Sequence, residues 1–493
     1  MEKIWEMEVI PEDWKNAVIH PLHKKGDRAD PNNYRGISIT PVTYKTLSKA
    51  LQKRLVEQVD HQLGEYKAGF RRGRSCVDQI WSLKRVLENH LSKDLVVVFV
   101  DFKKAYDSVD REVLFNILVE FGIDAKTTAI IKQTLTETHS KVKFMGEISK
   151  KFEIKTGVRQ GDGLSPVLFN CVLEKTIREW EKDLERKGLL NQVHIGGSKN
   201  GVMINCLAFA DDLALLSRNT DTAIEQLNVL ESQAEKAGLK ISFDKTKYIT
   251  NIRTAPRYLK TEHGKIERVD SFKYLGEIVQ LKTNERKANT TRREKMAAAF
   301  RRTYPIYKKK TISRQAKLRH YNTVIKTECL YASECLQMTG KAGLREAEKF
   351  ERKILRKIMG PKIVDGQYRL RGREELYRDN ERLIESMKKR RLKFYGHLFR
   401  MGENRLTKRI FTILDSRPKV SDKWFREVRK DLKQVGLNSE DISNRIKFRA
   451  VIDKFQGFHD EPKLNRGWTE ERRQAARERM QKFWAVKKAS RNM

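Results

Sequence analysis

Two adjacent carboxylates, Asp211 and Asp212, lie between the apolar runs 202–209 and 213–216. Two apolar runs closed by a short turn predict a β-hairpin, and consecutive apolar positions predict strands covered on both faces in the middle of a sheet. Like charges at such a tip repel. A carboxylate shielded from water is strongly disfavoured unless a cation pairs with it. A divalent metal ion meets that need. An isolated Asp-Asp pair equally suits a turn that faces water, so the pair needs a second observation.

That observation is the run 95–100, L-V-V-V-F-V, which predicts a buried strand ending in Asp101. If this strand neighbours the hairpin, the carboxylate at its end meets the hairpin tip. Carboxylates so gathered, with a polyphosphate, offer the oxygen ligands that a pair of Mg²⁺ ions takes, and such a pair assists in-line phosphoryl transfer. Asp101, Asp211 and Asp212 are the candidate metal ligands, for two Mg²⁺ or alternatively Mn²⁺.

The elements that must position them follow from pattern. Helices are predicted over 43–59, 78–90 and 222–237, a strand over 17–22, and a hairpin over 141–156 with Gly146 near its turn. A glycine-rich loop at 157–163 leads into a helix with Ser165 as cap and Pro166 in its first turn. Asp107 and Asp110 fit as caps of the helix after Asp101 and are not placed among the metal ligands. From 284 the pattern turns helical and very basic. Pro305 is expected to kink or end a helix, and Gly360-Pro361 marks a boundary. Residues 389–401 mix cations and aromatics, a composition of single-strand binding but equally of an ordinary amphipathic helix, the reading preferred. Asp365, Asp379, Asp422 and Asp453 are scattered among cations and read as solvated charge and helix partners. Residues 465–493, with Trp468 and Trp484, read as one loosely held helix.

The 493 residues carry a formal charge of +38, with a pI near 9.9. Such an excess calls for a polyanionic partner, of which nucleic acid is the commonest. An acidic membrane surface is the competing reading. No apolar run is long enough to span a bilayer and no signal-peptide pattern opens the chain, so a nuclear or cytoplasmic protein is expected. The five cysteines (Cys76, Cys171, Cys206, Cys329, Cys335) show no C-x-x-C pairing and are expected to be reduced.

Asp101-Phe102 with Tyr106-Asp107, then G-V-R-Q-G-D-G-L-S-P-V-L-F-N at 157–170, then F-A-D-D at 209–212, resemble motifs A, B and C of a reverse transcriptase. In detail they are similar to those of non-LTR (LINE-type) retrotransposons. The resemblance covers residues 8–360. Three motifs in order are specific where F-A-D-D alone is weak. It implies an α+β right-hand polymerase, with fingers over 1–94, an antiparallel-sheet palm over 95–283, a helical thumb over 284–360, and a basic, mostly helical region of unassigned role over 361–493. It implies an RNA-directed DNA polymerase that extends a DNA primer with dNTPs on an RNA template, with the RNA/DNA duplex as a further partner.

The same resemblance gives roles to single residues. Lys24 and Arg35 match the cations that fingers turn toward an incoming nucleotide. Phe102 would hold the nucleotide through its backbone, and Tyr106 would close beneath the sugar, where a ring excludes a 2′-hydroxyl by clash. Gln160 and Gly161 would contact template and incoming base pair. Lys245, with Lys247 as alternative, would protonate the leaving pyrophosphate. Tyr274, Leu275 and Gly276 match the hairpin that grips a primer end, and the loop 69–75 is expected to lie on a phosphate backbone. In that family a further motif and often an endonuclease domain come earlier, so this chain is expected to be cut at its front. Two alternatives compete: a catalytically silent nucleic-acid binder descended from a retroelement, and an RNA-dependent RNA polymerase, against which Tyr106 and the primer-grip match argue.

Overall fold

In the computed structural model the apolar run forms the strand Val96–Val100, inside a six-stranded sheet. The order is Tyr258–Lys260, Lys265–Arg268, Lys247–Thr250, Val96–Val100, Asp212–Ser217 and Cys206–Phe209. The structure describes residues 1–190, 193–197, 201–281, 286–336, 341–378, 380–416 and 422–455. Residues 1–453 form one compact unit.

Alternation explains the unbroken hydrophobicity of the central strand. Val96, Val98 and Val100 point into the core that holds residues of the helices Ser165–Arg186 and Thr220–Lys236. Phe99 points the other way and stacks on Phe272 with ring centres 4.2 Å apart. A strand covered on both faces has no solvated side to carry polar residues.

A second sheet lies at the N-terminal end. Asn16–His23 pairs antiparallel with Tyr34–Ile39 and parallel with His139–Phe144. The hairpin predicted over 141–156 is present, and it joins the N-terminal strands in space although it is far from them in sequence.

Several readings are corrected or refined. The run 202–209 is two elements: Val202–Met203 pairs with His194–Ile195, and only Cys206–Phe209 joins the central sheet, at its end. Its outer edge is closed by backbone, with Ala68 N–H donating to Ala208 O (3.0 Å) and Ala208 N–H to Tyr66 O (3.0 Å). Ser165 is the first residue of its helix and not its cap; Leu164 takes the cap position with no side-chain cap. The helix Arg286–Lys308 includes Pro305 and ends one turn after it, with Phe300 and Tyr307 holding this part of the helix in a core. Residues 361–378 are not purely helical: Lys362–Val364 and Gln367–Arg369 form a hairpin around Asp365-Gly366. Asp-Gly between β-formers is a strong hairpin signal that composition had hidden.

The cation-aromatic stretch 389–401 lies in the helix Leu383–Phe399 and turns inward. Arg391 is buried against Asp431, Tyr395 Oη donates to Asp415 at 2.9 Å, and Phe394 is buried. Trp81 of the helix Cys76–Asn89 meets Phe394, Phe411, Trp424 and Phe425 at ring separations of 5.4 to 6.3 Å. Asp422 is not solvated either: it is buried and pairs with Arg85 at 2.7 Å. Asp379 and the stretch 465–493 lie outside the described residues. Among the described residues no helix is long and apolar enough to cross a membrane.

Candidate active site

The register of the central sheet brings the acidic residues together. Leu213 faces Val100 across the antiparallel pair, so Asp101, one step on, comes level with Asp212. Asp212 in turn faces Phe209, which leaves Ala210 and Asp211 as a two-residue turn. Ala210 has φ 54°, a left-handed conformation that costs a residue with a Cβ. The turn is held from outside by Gly69: a Cβ there would stand 2.3 Å from Ala210 N. Asn170 Nδ2 donates to Gly69 O at 2.9 Å and fixes that contact to the helix Ser165–Arg186. Gly69 and Asn170 were not foreseen as site residues, and the only sequence signal was a glycine in a basic loop.

Asp101 is held by its backbone. Ser242 N–H donates to Asp101 O at 2.7 Å, and Asp101 N–H donates to Thr246 Oγ1 at 3.2 Å. Phe102 bridges to Ile241, and the bonds of that bridge are made by its neighbours Asp101 and Lys103, while its ring is buried. The same segment carries Lys245, whose Nζ lies 3.6 Å from Asp101 Oδ1. Lys247 points elsewhere and donates to Glu267 at 3.0 Å.

Charges crowd this groove. Burial raises the Asp101 carboxyl above the usual range; Lys245 opposes the shift and Asp211 adds to it. Asp212 lies at the surface, yet the protein packed around its carboxyl, and then the charges of Asp211 and Asp101, push it up to about 6. From the other side, partial burial and then the like charges of Arg35 and Lys245 hold Lys24 below the ordinary lysine value. The strand pairing places Leu22 opposite Arg35, so both cations stand at one end of the N-terminal hairpin.

Gln160 links the two halves. Its Nε2 donates to Asp107 Oδ1 at 2.8 Å and its carbonyl accepts from Ser38 N–H at 2.7 Å. Gly161, with φ 105°, packs so that a Cβ would meet Ile37 and Ser38 at 3.1 Å. Asp110 is the helix cap, accepting from Val113 N–H at 3.0 Å, whereas Asp107 serves Gln160. The Tyr106 ring stacks on Phe169 at 4.8 Å, and its buried hydroxyl has no hydrogen-bond partner.

Tyr274, Leu275 and Gly276 form the end of a hairpin between Phe272–Tyr274 and Glu277–Val279. Leu275 and Gly276 have φ 46° and 84°, as a two-residue type I′ turn requires. Tyr274 is buried, and burial raises its hydroxyl pKa, as does the nearby Asp212 charge. Tyr331 Oη donates to Leu275 O at 2.6 Å and Lys295 Nζ to Gly276 O at 3.1 Å. Below the turn Glu277 joins three elements, pairing with Lys84 at 3.0 Å and with Arg292 at 2.6 Å.

The loop 69–75 departs from expectation. Arg71 is buried and donates to Asp60 Oδ1 at 2.9 Å and Gly64 O at 2.8 Å; Arg74 pairs with Glu65 at 2.8 Å. Only Arg72 remains as an exposed cation of the loop.

The donors suit a hard cation. Asp101, Asp211 and Asp212 offer only carboxylate oxygens, and burial first, then the like charges of their neighbours, raises the values at Asp101 and Asp212, a cost that a bound cation would relieve. Among the described residues no group of three or more His, Cys, Asp or Glu forms a ready-made metal cage. An open site of one or two carboxylates, completed by substrate phosphate, is how Mg²⁺ is usually held.

The chain is similar to several known proteins. The family described as "Reverse transcriptase (RNA-dependent DNA polymerase)" matches residues 22–279. The polyprotein of the R2 retrotransposable element of Popillia japonica is 28% identical over 290 residues, which is 55% of this chain and 38% of that protein. A probable RNA-directed DNA polymerase of the X-element of Drosophila melanogaster is 23% identical over 371 residues, 72% of this chain and 39% of the relative. The chain thus spans less than half the length of these relatives. Telomerase of Candida albicans, solved with a fragment of telomeric RNA, superposes with a TM-score of 0.39 at 12% identity, over 91% of this chain and 66% of that one.

Proposed function

Because this chain belongs to the reverse transcriptase (RNA-dependent DNA polymerase) family, we propose that it is the RNA-directed DNA polymerase of a non-LTR retrotransposon. It extends a primer 3′-hydroxyl with dNTPs on an RNA template. The observation that carries this reading is the sheet register that sets Asp101 level with Asp212 beside the Asp211 turn.

In the reaction the primer 3′-oxygen forms a bond to the α-phosphorus of the dNTP, and the bond from that phosphorus to the pyrophosphate oxygen breaks. Mg²⁺ held by Asp101, Asp211 and Asp212 would supply Lewis-acid stabilisation of the reacting phosphate oxygens. Lys24 and Arg35 bind the triphosphate from the N-terminal hairpin, where charge-assisted bonds to phosphate are strong. Lys245 gives a proton to the departing pyrophosphate. Tyr106 is the wall under the sugar, and its stacking on Phe169 supports a rigid wall. The Phe102 backbone and the Gln160-Gly161 corner border the base pair. With Tyr274 buried, the grip on the primer end falls to the Leu275-Gly276 turn.

The right-hand parts follow as fingers over 1–94, palm over 95–283 and thumb over 284–360, with 139–153 grouped with the fingers because it pairs with their sheet. The region 361–453 buttresses the helix Cys76–Asn89, as its buried contacts with Trp81 and Arg85 support.

The test is primer extension by the full chain on an RNA template. Extension with dNTPs, abolished by Asp211→Asn while duplex binding persists, is expected. Duplex binding without extension by the unaltered chain would leave only the silent binder, and preference for rNTPs would point to an RNA polymerase.

A further inference from the structure

The hairpin Lys362–Val364 with Gln367–Arg369 separates its side chains by chemistry. Its register pairs Ile363 with Tyr368 on one face and Lys362 with Arg369 on the other. On the charged face Lys362 and Arg369, each about half exposed, both reach Glu375, at 3.4 and 2.8 Å. The hydrogen bond from Arg369 and the other donors hold the Glu375 carboxyl down to about 2. Arg356 Nε donates to Arg371 O at 3.2 Å and Arg371 Nε to Gly360 O at 3.1 Å, fastening the base of the hairpin to the helix Lys341–Met359. The other face is left to solvent, with Ile363 61%, Tyr368 78% and Leu370 69% exposed. A two-stranded hairpin alone is marginal in water, and here its anchoring is polar while its apolar side is uncovered. Exposed apolar surface held in place by a built clamp marks an interaction site.

The helix leading into the hairpin indicates the occupant. Lys349, Lys353 and Lys357 are exposed and spaced four residues apart, hence on one helix face. None of the three meets a carboxylate among the described residues. A row of ammonium groups without a carboxylate partner, of which Lys357 lies over the Phe300 and Tyr304 rings at 5.9 and 5.8 Å, runs toward an apolar, tyrosine-bearing ribbon, the chemistry of phosphate contact beside groove or base contact. A second copy of the chain fits poorly, since it would set the same row of lysines against this one, in a chain whose formal charge is already +38.

We propose that the Ile363, Tyr368 and Leu370 face is a docking surface for a nucleic-acid duplex, lying in its shallow groove while Lys349, Lys353 and Lys357 contact the adjoining phosphates. This deepens the polymerase reading and takes from it the identity of the duplex, an RNA/DNA hybrid. Glu375 offsets one of the two charges of Lys362 and Arg369, so the hairpin contributes contact together with one net positive charge.

The test uses the full chain and a labelled RNA/DNA duplex, with binding measured by anisotropy across a salt series and amide exchange followed by mass spectrometry. Duplex should slow exchange within 362–370. Ile363→Ser with Tyr368→Ser should weaken binding about fivefold or more while leaving the salt slope unchanged. Lys353→Gln should weaken binding and shallow the slope by about one unit. Thermal unfolding of each variant separates loss of contact from loss of fold, and Tyr368→Ser alone serves if the double variant unfolds. Unaltered affinity with no protection of 362–370 overturns the proposal. So does a double variant that changes only self-association in sedimentation, which would assign the face to a second copy. A chain that extends primers but shows no protection removes the hairpin assignment alone. Protection without extension keeps it and removes the polymerase reading.

Discussion

Lys245 Nζ stands 3.6 Å from Asp101 Oδ1, while Lys247, two residues on, is bound to Glu267. Both lysines carry the same charge, and only one faces the carboxylates. Lys245→Gln is expected to lower the rate of nucleotide incorporation by about 10²–10⁴-fold, the usual loss for a general acid. Lys247→Gln should leave it unchanged. Single-turnover incorporation, with dNTP affinity measured separately, checks the pair.

The ring of Tyr106, not its hydroxyl, is predicted to choose the sugar. The ring is stacked on Phe169 and the buried hydroxyl is unpartnered. Tyr106→Phe should therefore keep the preference for dNTPs and leave stability unchanged or slightly improved, since a buried unsatisfied hydroxyl costs energy. Tyr106→Ala should raise ribonucleotide incorporation and destabilise the fold by about 2–4 kcal/mol through the lost ring. Competition between dNTP and rNTP in primer extension, with denaturant unfolding, reads both effects.

Gly69→Ala should disable catalysis without touching a carboxylate. The added Cβ would stand 2.3 Å from Ala210 N, so the Ala210-Asp211 turn must move. Misplacement of reacting groups by about 1 Å can cost about 10²-fold in rate. Activity falling by that order, with duplex affinity retained, is the expected result. Gly73→Ala is the control, because open space surrounds that position, although its φ of 73° adds local strain.

Glu277 should make stability depend on acid. Burial opposes its charge, but Lys84 and Arg292 together outweigh burial and hold the carboxyl below its usual value. The unfolded chain therefore binds more protons near pH 4, and stability rises with pH there. The contribution is fully present above about pH 4.5 and is lost as pH falls through the depressed native value. Glu277→Gln should remove this acid dependence and cost about 3–5 kcal/mol, because Arg292 and Lys84 are left without their partner. Urea unfolding from pH 3 to 7 gives both numbers. The Leu275-Gly276 turn rests on this hub, so primer KM should rise more than kcat falls.

The sequence alone located the candidate carboxylates and their order along the chain. A doubly covered strand must be apolar throughout, so 95–101 and the stretch 202–217 announce themselves locally, although only its part from Cys206 onward belongs to the central sheet. The helices 42–59, 76–89 and 220–236 are legible for the same reason, since their apolar periodicity and caps are set by near neighbours. What a cation does is not local. Arg71, Arg74 and Arg391 have the composition of nucleic-acid contacts, yet each is spent on an internal oxygen: Asp60, Glu65 and, forty residues away, Asp431. Register was equally hidden: that Asp101 comes level with Asp212 follows from strand pairing, which no residue spacing encodes. The tertiary structure also decided which lysine lies beside Asp101 and which glycine seats the Ala210-Asp211 turn. Each of these depends on a partner distant in sequence, and its identity exists only once the chain has folded.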